Sequence, residues 1–150
     1  MNIGELCTRA VVTVRASDDI VKAAQLMREK NVGYMVVVEP RGATDVVPIG
    51  VLTDRDIVIA IVAREVDVRA LRVDDVMTRE PLTLSDNESL ESALMDMRRR
   101  GVRRAPVVGD QGQLIGVASI DDLLSALAGT MRHVTWSIGQ VEHALRHQAE

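Results

Sequence analysis

The chain says nearly the same thing twice, and this restricts its fold more than any other feature. Displaced by 70 positions, Ile3–Val38 lies on Val73–Val108 without a gap, and nine of the 36 pairs are identical. LCTRAVVTV falls on VMTREPLTL, and DIVKAAQLMREKNVGYMVVV falls on SLESALMDMRRRGVRRAPVV. The identities include Thr13/Thr83, Ala23/Ala93, Met27/Met97 and Val32/Val102. Further along the displacement is 66, so that IGVLTDRDIV falls on IGVASIDDLL. The four lost residues belong to a longer connection in the first copy, EPRGATDVVP, where Pro and Gly predict an exposed turn. One copy of about 60 residues struggles to bury both a sheet and two helices, whereas 150 residues suffice for a real core. Two copies related by pseudo-symmetry, sheet against sheet, solve that problem. A cleft between the copies follows, and it occurs twice.

Each copy has the same predicted order, and the class is α/β. A short strand around Val11–Val14, or Leu82–Leu84, leads to an acidic helix start at Ser17-Asp18-Asp19, or Asp86-Asn87-Glu88. In the helix that follows, Ile20, Ala23, Ala24 and Met27 are spaced 3, 1 and 3, which makes one buried stripe. Strands are expected at Tyr34–Val38 and Val46–Leu52, matched by Arg104–Val108 and Gln113–Ser119; their near-continuous Val and Ile suit burial on both faces. A second helix begins at Thr53 or Ser119. The expected boundaries are residues 1–66 for the first repeat, 67–128 for the second and 129–150 for a C-terminal helical extension.

The second helix start carries the chemistry. In GVLTDRDIV, Thr53 and Asp56 have the spacing of a capping box, in which a hydroxyl and a side chain three residues on satisfy each other's backbone N–H groups. A nucleotide site at a helix start wants the same two groups pointed outward. Ser119 and Asp122 repeat the pair, but a duplicated helix also duplicates its cap, so recurrence leaves both readings open.

Composition excludes several classes. The net charge of −4 gives no general attraction to nucleic acid or an anionic membrane, and with one Trp, one Tyr and no Phe there is little to stack on bases. No apolar run approaches the roughly 18 residues of a membrane span, and the start MNIGELCTRAVV lacks the apolar region of a signal peptide. Cys7 alone permits no internal disulfide, suits a reducing cytoplasm and reads as a small apolar residue. Catalysis has no support: the one Cys opens the chain, the three His fall in its last 18 residues, and neither a P-loop nor G-x-G-x-x-G occurs. Arg98, Arg99 and Arg100 close a helix, where cations favour the dipole, and read as solvated surface.

Taken together, the order of elements, MTREPLTL, GVRRAPVV and the Gly-h-h-[Ser/Thr]-x-x-Asp ending resemble the cystathionine β-synthase (CBS) domain, over about residues 3–125. The resemblance implies a tandem pair, or Bateman module, that senses adenosine-containing ligands such as AMP, ADP, ATP or S-adenosylmethionine. It also implies a homodimer and a separate regulated protein, with no obligatory cofactor and no metal. By this resemblance Asp56 and Asp122 accept hydrogen bonds from ribose hydroxyls, and Thr53 and Ser119 lie near the ribose or phosphate. An ionised carboxylate offers two oxygens to a vicinal diol, and a helix start favours phosphate. Carried over, Thr53 and Asp56 face Arg103 and Arg104, with Arg55 beside them, while Ser119 and Asp122 face Gly33 and Tyr34. Thr13 and Thr83 complete the candidate set. The first site is thus expected to prefer charged nucleotides. The second, with no cation at the matching positions and Asp121 in place of Arg55, is expected to be weaker, empty or suited to a ligand of less negative charge. The alternative is a ligand-free interaction module acting through its dimer surface and last helix.

Beyond the second repeat, Leu127, Met131, Val134, Ile138, Val141 and Leu145 form a seam of heptad spacing, along its own module or across a dimer. Trp136 falls off the seam. His143 and His147 are four apart on one helical face, a spacing zinc can use, but no third ligand accompanies them and they read as surface histidines.

Overall fold

The fold, a computed structural model that describes residues 1–132, consists of two small sheets with helices packed on them. A one-turn helix α1 (Ile3–Leu6) leads to β1 (Thr13–Arg15), α2 (Ile20–Lys30), β2 (Tyr34–Arg41), β3 (Asp45–Thr53) and α3 (Asp54–Ile57). The second half repeats this as α4 (Val73–Val76), β4 (Thr78–Arg79), β5 (Leu84–Ser85), α5 (Leu90–Arg100), β6 (Arg104–Val108) and β7 (Leu114–Ser119). A helix α6 then runs from 120 through 132. The first sheet has the order β1-β2-β3-β4 and the second β5-β6-β7, with a parallel first pair and antiparallel pairs after it in both.

Local patterning accounts for the helices. Ile20, Ala23 and Met27 of α2 are buried, as are Leu90, Ala93 and Met97 of α5. Each helix ends on a left-handed residue, Asn31 or Gly101, whose N–H returns to the last turn and closes it. The acidic stretches before them divide their work: Asp18 accepts a hydrogen bond from the Arg15 N–H at 2.8 Å, while Ser89 caps α5 through the Ser92 N–H at 3.2 Å. The expected turn EPRGATDVVP is shorter than its composition suggests. Pro40 pairs with Val46 and Arg41 with Asp45, so the strands continue outward and only residues 42–44 turn.

What patterning does not reveal is that the two copies exchange their leading segments. α1 packs on the second half: the Ile3 N–H donates to Glu88 O at 3.0 Å, and Gly4 N–H to Asp86 O at 2.8 Å. α4 does the same to the first half, with Val73 N–H donating to Asp18 O and Asp74 N–H to Ala16 O, both at 2.9 Å. These are the same two bonds with every residue moved by 70 positions. Thr8 bridges to Val117 as Thr78 pairs with Val51, which continues the reciprocity into the sheets. The cores follow. Val73 and Met77 belong to the first cluster, with Val14, Ile20, Met35 and Leu52; Ile3 belongs to the second, with Leu84, Leu90, Met97 and Leu123. Neither half is completed by its own contiguous residues.

The exchanged segments come close enough to demand glycine. A Cβ on Gly50 would meet Met77 Sδ at 2.7 Å and Thr78 O at 3.0 Å. At the equivalent Gly116 it would meet Cys7 Sγ at 2.7 Å and Thr8 O at 2.8 Å. Backbone atoms cannot retreat as flexible side chains do, so both copies keep Gly at this point. This also explains Cys7, which is half-buried against Gly116 with its thiol pushed above the usual range chiefly by desolvation.

The halves differ after β3. α3 gives way to a π-helical turn, Val58–Val62, whereas its counterpart α6 is continuous to 132. Among the described residues, no helix is long and apolar enough to cross a membrane. Val134, Trp136, Ile138, Val141, His143, Leu145 and His147 lie outside the described residues, so the heptad seam and the histidine pair are untouched by these observations.

Candidate ligand-binding cleft

Both expected helix starts exist, and both are capped. The Asp56 N–H donates to Thr53 Oγ1 at 3.1 Å, and the Thr53 N–H donates to Asp56 Oδ2 at 2.9 Å, a complete capping box. In the second half the Asp122 N–H donates to Ser119 Oγ at 3.1 Å, but there the Ser119 hydroxyl itself donates to Asp122 Oδ2 at 2.6 Å. Capping therefore occupies one oxygen of each carboxylate. The other oxygen accepts nothing among the described residues, and Asp122 is exposed where Asp56 is half-buried.

A cleft of about 410 Å³ opens in front of Ser119 and Asp122. That volume lies in the range of small-molecule sites. Its opposite wall is Gly33 and Tyr34, at the entry to β2, and its floor is Ala10–Val12, between α1 and β1. The cleft thus brings together Tyr34, Ser119 and Asp122 from the candidate set, across the junction of the two halves. Arg104 lines it too. Sequence register assigns this site no cation at the positions facing it; Arg104 arrives instead from β6, beside Ser119, with which it pairs in the sheet. The side of Asp122 is therefore not free of positive charge, contrary to the expectation.

The guanidinium of Arg104 lies over the Tyr34 ring, 6.0 Å from its centroid. A cation on an exposed aromatic face is worth about 0.5–1 kcal/mol. The Tyr34 hydroxyl is buried and has no hydrogen-bond partner among the described residues. Leaving such a group unpaired costs about 1–3 kcal/mol. Desolvation pushes its pKa above that of a free phenol, and the nearby positive Arg104 opposes this only in part. Tyr34 therefore stays neutral, with its ring at the cleft wall and its hydroxyl buried.

The remaining candidates lie elsewhere. Arg103 Nη2 is 3.4 Å from Asp121 Oδ1, an exposed pair of the kind worth about 0–1 kcal/mol. Thr53, Arg55, Asp56 and Arg103 are not part of this cleft; Thr13, in β1, and Thr83, just before β5, are exposed and outside it. Conversely, Thr8, Ala10–Val12 and Asn31 line the cleft without having been singled out. For Thr8 a signal was present: Thr8-Arg9 recurs unchanged as Thr78-Arg79.

The profile of the CBS domain matches residues 3–63 and again 73–129. The chain belongs to the CBS domain family. Two matches in tandem make it a CBS pair, and the exchanged leaders above are how its halves are joined. A CBS domain-containing protein of Bacillus subtilis, YhcV, is 37% identical over 122 residues, covering 81% of this chain and 82% of its own. An uncharacterized protein of Methanopyrus kandleri is 32% identical over 124 residues; this chain is covered to 83% but spans only 61% of that relative. Among solved structures, a hexameric CBS-CP12 protein from bloom-forming cyanobacteria superimposes with a TM-score of 0.70 at 30% identity, over 83% of this chain and 66% of that one. The CBS domain pair of protein MJ0100, solved in complex with 5′-methylthioadenosine and S-adenosyl-L-methionine, shares the fold, with a TM-score of 0.73 at 20% identity over 87% of this chain and 98% of its own.

Proposed function

We propose that the chain is a regulatory module that binds an adenosine-containing ligand between its two CBS repeats and passes the occupancy to a separate protein. The observation that carries this is the composition of the cleft: one uncommitted carboxylate oxygen at Asp122, a neutral phenol at Tyr34 and an exposed guanidinium at Arg104, around an apolar floor. Asp122 accepts the ribose hydroxyls, the apolar floor at Ala10–Val12 takes the base, and Arg104 meets whatever the 5′ position bears. AMP, ADP, ATP and S-adenosylmethionine all fit this description. The complex of the MJ0100 pair with two adenosyl compounds supports the class. By pseudo-symmetry an equivalent groove at Thr53 and Asp56 faces Arg103 and Arg104, and it takes the more highly charged ligands.

The same reading has the module working in the cytoplasm as a homodimer and without catalysis of its own. Val58 after α3 and its counterpart Leu124 on α6 both leave apolar side chains in solvent, and Ile59, Val62 and Leu127 extend the two exposed faces. A second copy covering them would bury two such faces at once.

A thermal-shift panel of AMP, ADP, ATP, S-adenosylmethionine and 5′-methylthioadenosine tests the proposal. A ligand at 100 times its Kd stabilises the folded state by about 2.7 kcal/mol, which is a shift of several degrees in Tm. Asp122→Asn is expected to abolish most of the shift for at least one ligand. A flat panel would instead favour the interaction-module reading, in which the apolar helix faces are the functional surface.

A further inference from the structure

Tyr34 and Arg104 are not merely neighbours; they are each other's counterparts. The displacement of 70 that relates the copies lays Tyr34 on Arg104. A residue that touches its own symmetry mate must lie on the symmetry axis, so their stack at 6.0 Å marks the pseudo-two-fold. Reciprocal contacts elsewhere have the same relation: Asn2 bridges Ser89 as Asp19 bridges Arg72. Rotation about this axis exchanges Tyr34 with Arg104 and carries the Asp122 cleft onto the groove at Asp56. Both members of the stack line the Asp122 cleft. The stack is therefore a partition with one binding place on each side.

We infer that Arg104 is a single cation shared by the two places, and that it couples them negatively for ligands with an anionic 5′ group. This rests on the adenosyl-binding reading above. Arg104 is exposed, and its contact with the Tyr34 ring is weak enough for a phosphate to displace. Arg103 does not line the Asp122 cleft, so Arg104 is the cation of the pair that both places reach. A phosphate on one side draws the guanidinium to itself by the stronger, charge-assisted bond. The second ligand then meets a wall that has lost Arg104. A ligand whose 5′ group is uncharged makes no claim on Arg104, and the two places act independently.

Calorimetric titration of the full chain separates these cases. Asp122→Asn and Asp56→Asn each leave one place, and their two single-site isotherms add to the curve expected without coupling. With ADP, the second step of the unsubstituted protein is expected to be about tenfold weaker than the weaker of the two single-site constants. With 5′-methylthioadenosine, or with ADP in Arg104→Gln, the sum is expected to be restored. If the ADP isotherm of the unsubstituted protein superimposes on the sum, the shared cation is refuted while binding at both places stands. If neither Asp substitution removes a site, the cleft reading itself fails, and the inference falls with it.

Discussion

The first half enters its inner strand on Gly33-Tyr34 and the second on Arg103-Arg104, yet the backbones at these points do the same thing. The Asp54 N–H donates to Gly33 O at 3.1 Å, and Ile120 N–H to Arg103 O at 3.0 Å. The bulges in the two inner ladders are also equivalent, between Val37 and Val38 and between Val107 and Val108. A duplicated chain keeps the hydrogen bonds and close contacts on which folding depends, because an unpaired buried amide is costly wherever it occurs. Side chains at the junction carry no such obligation. They have diverged into an aromatic on one side and a cation on the other, and the divergence gives two chemically distinct walls from one backbone.

The sharpest way to break this comparison is at the exchanged leaders. Ile3 is fully buried in the core of the opposite half. Ile3→Ala is expected to cost about 2–5 kcal/mol in urea unfolding, although the other fully buried members of its cluster begin only at Leu84. A loss below about 1 kcal/mol would mean that the second half is complete without its borrowed segment. The helix starts sharpen the comparison at a smaller scale. Thr53→Ala removes the only side-chain acceptor for the Asp56 N–H and is expected to cost about 1 kcal/mol in the same assay.

The smallest effect concerns the axis. Because the Tyr34 hydroxyl is unpaired and buried, Tyr34→Phe is expected to be neutral or slightly stabilising near pH 7. Its pKa is raised on folding, so between about pH 10 and the folded value the unfolded state has lost a proton that the folded state still holds. Stability attributable to this group is thus intact below pH 10 and lost as pH rises. The original chain should fall increasingly behind Tyr34→Phe in alkaline denaturation curves. Since Tyr34 is the sole tyrosine, absorbance at the phenolate band follows its titration directly.

Much of this protein was legible before any coordinates. The stripe Ile20, Ala23, Met27 and its copy Leu90, Ala93, Met97 predicts buried helix faces, and Val- and Ile-rich runs predict the inner strands, because periodicity reports local geometry. The spacing of Thr53 to Asp56 and Ser119 to Asp122 predicts two helix starts with two hydroxyl–carboxylate pairs. What it leaves undecided is whether those carboxylates cap or bind, and the structure shows capping through one oxygen with the other uncommitted.

By itself, then, the sequence determined that there are two equivalent units, what elements compose each and where each second helix begins. Only the tertiary structure decided that α1 completes the second half and α4 the first, and that Tyr34 meets Arg104 on the axis. The reason is that repetition and patterning act over a few residues. The choice of partner for an apolar segment, and the meeting of residues 70 positions apart, depend on how the two units close around each other.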